Sequence, residues 1–515
     1  MKRTQLNIKA ALVVFTIPAG LFAATLPAHA AVPEQLLAKA HTEVLGRLPS
    51  QAEWQTGAAA FTTSGCNLTA VRDYLRAFYL SAEYSALGYD NAARVLTLYR
   101  GSLNREPDAP GFTYHLGLLN GGTAWSAVVD AVLATPEFVN QVVPLICGAA
   151  ASYSWGTAPA IAIPTSGSGF AGGTGAQLQA LLNATPSGGT MWLAQKALVK
   201  VTSPLTIPAG VTLATVGTPG PTRYASLGRI VRAGYFLGES ITVRAGARLD
   251  SVWVDGQRGA VPRITLPFLN NGINVSMLGG DVVNSVLSNS GGWTSMQMGT
   301  VDGAVCTATV SGNLVTAYSS DHNGDFSDGI SSYCDDGLIE NNQVVDTTDV
   351  GIIIFSPSSG GAQHSEVRNN VVLAAGNHAY GAYAADGTVG KTQPPSFTGS
   401  HFHDNVFWSG ERTHIDIGLV VGTRAWFGNT SSTGVGAAFT NNTTGVLSAR
   451  VASGIAVAGM LDVTVQGNAL NVVFAAEASP CPRAVVGASV SAGYASGTIQ
   501  PYSDVLYESC IQTGD

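Results

Sequence analysis

Apolar positions along this chain follow two rhythms. From residue 31 to 147 they fall at i, i+3/i+4 and i+7, as in Val71-Arg72-Asp73-Tyr74-Leu75-Arg76-Ala77-Phe78-Tyr79-Leu80 and from Ala92 to Leu98, which predicts helices. Two stretches repeat. Leu45-Gly46-Arg47-Leu48-Pro49 returns 58 residues later as Leu103-Asn104-Arg105-Glu106-Pro107, and Ser81-Ala82-Glu83-Tyr84 returns 54 residues later as Thr135-Pro136-Glu137-Phe138. Two copies of a helix, Pro turn, helix, helix unit would pack as one small all-α domain over residues 31–148. Arg105 and Glu106 read as an ion pair fixing the loop between helices. Residues 149–173 drop the periodicity for Ala, Pro, Ser and Gly, and read as a flexible linker.

The second rhythm begins after Thr174, the expected N-cap of a helix over Gly175 to Asn183 with Leu178, Leu181 and Leu182 on one face. Short β-runs follow: Met191-Trp192-Leu193-Ala194, Leu205-Thr206-Ile207, Val211-Thr212-Leu213 and Ile241-Thr242-Val243. An Asn with an apolar residue two places later then recurs at Asn284, Asn313, Asn342, Asn370 and Asn405, spaced 29, 29, 28 and 35 residues, with weaker echoes at Asn442 and Asn468. A Gly opening an apolar strand recurs at Gly272, Gly329, Gly351, Gly381, Gly418 and Gly454. Two such ladders predict coils of parallel strands, Asn stacking on Asn at a tight turn. Each coil is too small to bury its own apolar face, so it pairs with the coils on either side. Residues 174–475 at roughly 28 per coil give about eleven coils and a rod of roughly 50 Å. The helix at 175–183 would cover the open first edge, and residues 476–515 would form a C-terminal cap or tail. The expected fold class is mainly β, a parallel β-helix with a small N-terminal all-α domain.

Composition sharpens this picture. Charged residues are only 11% of 515, while Gly supplies 61 positions, a balance that suits stacked turns. The net charge of −8 leaves no basic surface for nucleic acid. Lys2, Arg3 and Lys9, the apolar run from Ala10 to Leu26 and Ala28-His29-Ala30 form a secretory signal over residues 1–30. No later segment is long and apolar enough to span a membrane, so the expectation is a bacterial protein that is secreted, periplasmic or at the cell surface. Six cysteines fit that compartment. Six allow 15 connectivities. Pairing in order, Cys66–Cys147, Cys306–Cys334 and Cys481–Cys510, keeps each bridge within one segment, and no CxxC spacing favours a metal instead.

Leu98-Tyr99-Arg100-Gly101-Ser102-Leu103-Asn104-Arg105-Glu106-Pro107-Asp108, with Thr135-Pro136-Glu137-Phe138, resembles a bacterial helical module of unknown function distantly similar to phycobilisome linker domains. That resemblance implies attachment or assembly, at a cell surface or matrix. Gly188-Gly189-Thr190-Met191-Trp192-Leu193, then Pro204-Leu205-Thr206-Ile207-Pro208-Ala209-Gly210-Val211-Thr212-Leu213, with the Asn ladder, resembles the right-handed parallel β-helix of the pectin-lyase-like superfamily. It implies fold rather than function.

Six of nine histidines lie between His322 and His414 (His322, His364, His378, His401, His403, His414), and seven aspartates fall between Asp321 and Asp349. This clustering in a charge-poor chain reads as a ligand face; decoration of exposed turns is the plain alternative. Asp321, Asn323 and Asp325 stand at alternate positions, as calcium ligands do, but Phe326 replaces the loop Gly and Ser332 the bidentate Glu. Calcium is therefore the cofactor this loop would take, against a polar turn without metal. Ser327-Asp328-Gly329-Ile330 and Thr348-Asp349-Val350-Gly351-Ile352 are similar to two polygalacturonase motifs. Val350 replaces the second Asp of the later motif, His378 only loosely echoes its Gly-His-Gly, and its Arg-x-Lys is missing. Asp328, Asp349 and His378 are thus the candidate catalytic groups, and His322, Tyr380, Arg368 and Asp416 the candidate substrate contacts. A lyase or epimerase would use His322, His378, Tyr380 or Tyr383 as acid and base, and Arg368, Lys391, Arg412 or calcium to neutralise a uronate. Trp293, Trp408 and Trp426 would stack on sugars or fill the coil interior. No Gly-x-Ser-x-Gly elbow or phosphate loop is present. Two functions remain from sequence: cleavage or modification of a polysaccharide, by hydrolase or lyase, and a non-catalytic adhesin or structural rod.

Overall fold

Three-residue strands hold little on their own, and here they are held by register. The structure, a computed structural model, describes residues 32–153, 159–258, 272–300, 306–316, 327–356, 362–386, 396–422, 434–457 and 460–475. The expected signal, the C-terminal tail, Asp321, His322, Asn323, Asp325, Lys391, Trp426, Cys481 and Cys510 lie outside the described residues.

Ten strands, from Leu205–Ile207 to Val472–Phe474, stack in one parallel sheet, one per coil, so ten coils are described where about eleven were expected. The other two faces join into a 19-stranded sheet because Thr190–Val201 bends through both. Its first half pairs with Thr212–Thr215 and its second with Gly228–Arg232, which starts a first and a second face; the ten-stranded sheet is the third. The fold is a parallel β-helix. Its interior is filled by Val, Ile and Leu from all three faces, then by Phe397, Phe402, Phe407 and Phe439 towards the far end.

The corner between first and second faces explains the Asn repeat. Asn313, Asn342, Asn370, Asn405, Asn442 and Asn468 are buried in a column, each side-chain amide donating to the next carbonyl oxygen at 2.9–3.0 Å. Each oxygen also accepts the backbone N–H of the preceding rung, as from Asn342 to Asn370 at 2.9 Å. Asn442 and Asn468 are thus full members. Asn284 is not: Ser285 stands in register with Asn313, and Asn284 takes the left-handed residue just before the corner (φ +48°), like Asn341, Asn369 and Asn441. The Gly column needs the same correction. Gly329, Gly351, Gly418 and Gly454 share a register, but Ala382 rather than Gly381 continues it, and Gly272 lies two positions off. A side chain at Gly418 would run into Phe407, 2.4 Å from its Cβ position. Replacing Asn370 by Ala strips hydrogen bonds from Asn342 on one side and Asn405 on the other. It should lower the unfolding free energy in urea by roughly 3 kcal/mol, since each buried unpaired polar group costs about 1–3 kcal/mol.

The edge helix is Gly175–Ala184, closed by a Thr174/Gln177 capping box. Leu178 and Leu182 enter the core, whereas Leu181 is 40% exposed. The Gln179 amide meets both the N–H and the C=O of Thr206 (2.7 and 2.9 Å), satisfying the outermost strand of the third face. Part of the segment read as linker belongs to the rod, because Phe170–Thr174 pairs in parallel with Thr190–Val201.

Residues 34–146 are helical, and the duplication is visible as geometry. Gly46 and Asn104 are both left-handed, and Arg47 grips Glu83 as Arg105 grips Glu137. Arg105 therefore pairs with Glu137, not with Glu106. Cys66–Cys147 closes the domain and Cys306–Cys334 staples neighbouring coils. The domain was expected to serve attachment, but its apolar face is occupied by its own rod: Trp253, Val286, Leu314, Val345, Leu373 and Trp408 of the second face complete its core. Glu106 turns into this interface, paired with Arg100 and with Arg229, which also holds Asp255. Trp253 lies beneath both guanidiniums, 4.6 and 3.7 Å from ring centroid to Cζ. No helix among the described residues is long and apolar enough to cross a membrane.

Candidate functional site

In parallel strands without bulges, residues in register point the same way, so a column of polar residues makes a strip along the rod. One such strip runs along the entry to the third face. Asp349 accepts the N–H of Tyr380 of the next coil through its backbone carbonyl (2.9 Å), and Asp416 stands in register one coil further, next to the pair Gly381–Ile417. One coil back is Ser327, and before it Trp293. Trp293 is partly exposed and packs edge-on against Phe355 (6.0 Å) and Tyr333 (6.5 Å). Trp293 to Asp416 covers four coil spacings, roughly 19 Å.

The histidines join the strip at its far end. The His378 ring lies 4.9 Å from Tyr380 and stacks on His414 at 4.0 Å, and both Nε2 atoms face Asp416 Oδ1, at 3.2 and 3.3 Å. Burial would raise the Asp416 pKa, but the two imidazoles outweigh it and hold the carboxyl below its usual range. The His378 loop is fixed from behind: Asp346 Oδ1 accepts the N–H groups of Ala375, Gly376 and Asn377 at 2.7, 2.8 and 3.2 Å.

Asp328 and Asp349 share the third face on neighbouring coils, but not a register. Asp328 stands opposite Val350, whose N–H it accepts at 2.9 Å, while its other oxygen accepts Ser331 Oγ at 2.8 Å. Both oxygens of this 3% exposed residue are thus engaged in holding the sheet. Burial, then the neighbouring Asp349 charge, push the Asp328 carboxyl well above its ordinary range. Burial likewise pushes Asp349 up to about 7. As a residue, Asp349 is of intermediate exposure and is the less enclosed member of the pair.

Other candidates are placed elsewhere. Arg368 lies on the first face, held by Glu340 (2.9 Å) and Glu366 (2.7 Å), away from the strip. Tyr383 points into the core, its hydroxyl on the Asn370 and Val406 carbonyls. Arg412 bonds the Gly148 and Ala150 carbonyls, and Trp408 is buried under the helical domain. The histidine cluster divides in two, since His364, His401 and His403 belong to the first face. His414 and Asp346 belong to the His/Asp cluster noted in the sequence, but neither was given a role there; a further signal for His414 is that it precedes Asp416 by two residues, as His378 precedes Tyr380.

Residues 75–142 match the family model described as a domain of unknown function (DUF4214). No curated protein matches the chain. Among solved structures it is similar to an alginate lyase from Paenibacillus sp. str. FPU-7, at 14% identity over 59% of this chain and 98% of that one, with a TM-score of 0.32. It is also similar to a tailspike protein mutant of E. coli bacteriophage HK620 in complex with a pentasaccharide (12% identity, 58% of this chain, 59% of that one, TM-score 0.33). A third is the tailspike protein gp49 from Acinetobacter baumannii bacteriophage Fri1, a capsular polysaccharide depolymerase (12%, 55% and 52%, TM-score 0.31). The chain spans little more than half the length of the two tailspikes. The narrower pectin-lyase-like and phycobilisome-linker resemblances stay expectations from sequence.

Proposed function

We propose that this chain is an extracellular enzyme that cleaves a polysaccharide by hydrolysis, the glycan lying along the strip from Trp293 to Asp416. What carries the reading is Asp349, a residue of intermediate exposure whose buried carboxyl is pushed up to about 7, in the middle of a polar, aromatic-flanked strip. A carboxylic acid still protonated near neutral pH is the proton donor a glycosidic oxygen needs. Asp416 stands two coils away, roughly 10 Å between backbones, near the upper end of the ~6.5–9.5 Å carboxyl spacing that leaves room for an attacking water. The His378–His414–Asp416 end would then activate water, Tyr380 would underlie the scissile sugar, and Trp293 would stack on a sugar further along. Asp328 would hold the sheet through the Val350 N–H and the Ser331 hydroxyl, rather than touch substrate. In this reading the calcium loop and the helical domain take no part in the bond-breaking step.

Incubating the purified protein with a panel of neutral and acidic polysaccharides should release new reducing ends with inverted anomers, read by proton NMR. Unsaturated products absorbing in the ultraviolet would replace hydrolysis with elimination. Saturable binding without any product would favour the adhesin.

A further inference from the structure

We propose that His378, His414 and Asp416 form a binding site for one divalent transition-metal ion, zinc by its donor set. The three residues come from two adjacent coils, and their ligand atoms all lie within 4.8 Å of one another. A zinc ion with ligands at ~2.0–2.2 Å in tetrahedral array holds them roughly 3.3 Å apart. The two Nε2–Oδ1 separations, 3.2 and 3.3 Å, match that spacing.

These separations are also short enough for hydrogen bonds, and the orientation argues against that explanation. Asp416 Oδ1 and His378 Nε2 are buried atoms with no hydrogen-bond partner among the described residues, although they face each other. At 3.2 Å the two atoms are close but are not aligned for a hydrogen bond. Asp416 is 93% buried at its side chain, and an orphaned oxygen there is costly unless a cation completes it.

The second histidine pair of the chain gives the contrast. The His401 and His403 rings also lie close, tilted at 4.3 Å, but His401 Nε2 bonds the Thr440 hydroxyl and His403 Nδ1 bonds Asp404, both at 2.7 Å. Each therefore has one ring nitrogen satisfied within the protein. At the proposed site three protein ligands would leave a coordination position open, beside a His378 side chain that is 38% exposed. Zinc is preferred to calcium or magnesium because two of three donors are imidazole nitrogens.

The test needs no substrate, so its outcome is separate from that of the hydrolase reading. Full-length secreted protein, stripped with a chelator, is titrated with zinc chloride against a chromophoric competitor. The expected result is one zinc per chain, with a dissociation constant on the order of 1 μM or tighter. His378→Ala, His414→Ala and Asp416→Asn should each weaken binding by about 100-fold or more, while His403→Ala leaves it unchanged. Cobalt loaded in place of zinc should give visible absorption that the three variants lose. His378→Ala removes an exposed side chain and tests the site even if Asp416→Asn misfolds, which circular dichroism will show. No saturable zinc binding, binding unchanged in His378→Ala and His414→Ala, or binding lost in His403→Ala would each overturn the proposal.

Discussion

Replacing Asp349 by asparagine should lower kcat/KM on the cleaved glycan by about 10³-fold, within the ~10²–10⁴ that a lost general acid removes. Its neighbour should behave differently. Asp328→Asn keeps the shape but weakens the acceptor for the Val350 N–H and the Ser331 hydroxyl, so it should lower the melting temperature first. A variant of Asp328 that keeps full stability and loses all turnover would reverse these assignments. pH supplies a second handle on the same residue. With Asp349 pushed up to about 7, the acid form is depleted above that value, and kcat/KM should fall on the alkaline side. The stability effect has the opposite sense to that of an ordinary ion-paired carboxylate. Asp349 and Asp328 bind protons more tightly folded than unfolded, so between pH ~4 and ~7 the unfolded chain carries fewer protons and stability falls as pH rises. Asp349→Asn should flatten that slope in calorimetry at pH 5, 6 and 7.

Glu106→Ala should cost about 3–5 kcal/mol, the range for removing one partner of a buried charge cluster. Glu106 is 1% exposed, and its loss leaves the Arg100 and Arg229 guanidiniums enclosed against Trp253 with less opposing charge. Burial works against the Glu106 carboxylate, but Arg229 and Arg100 prevail and hold it down at about 2. Its contribution is therefore present above pH ~4.5 and disappears as pH falls through about 2. Urea unfolding at pH 7, with limited proteolysis of the helical domain, measures the loss. A change below about 1 kcal/mol would mean that water reaches the cluster and replaces the missing partner.

The β-helix was legible because its strongest constraint recurs in the letters: a buried amide column admits almost only Asn, and Asn stands there six times. The first rung misled because Asn284 fills the neighbouring left-handed position, which also favours Asn. The site was harder to read because the path from Asn column to third face has no fixed length. It takes 8 residues from Asn342 to Val350, 11 from Asn370 to Gly381 and 12 from Asn405 to Ile417, which share one register. With phase lost at that corner, Asp328 looked equivalent to Asp349, and the approach of His414 to His378 could not be seen. Arg368 failed for another reason: charge composition says nothing about which of three faces a residue occupies. The docking of the helical domain left the least trace, since Glu106, Arg229 and Asp255 are scattered singly along the chain.

A bare solenoid melts like a zipper, because each coil contacts only its two neighbours and the ends can fray independently. Here the helical domain lies along the second face as a splint. It bonds the Tyr224 hydroxyl through Glu43, Gln343 through Leu48, the Glu411 and Arg412 amides through Glu34, and Thr444 through Gln51. Those anchor points run from Tyr224 to Thr444, so the coils between them cannot open without straining a body attached to several of the others. The rod should therefore come apart in one sharp transition, and cutting the chain between the two domains should leave them bound to each other.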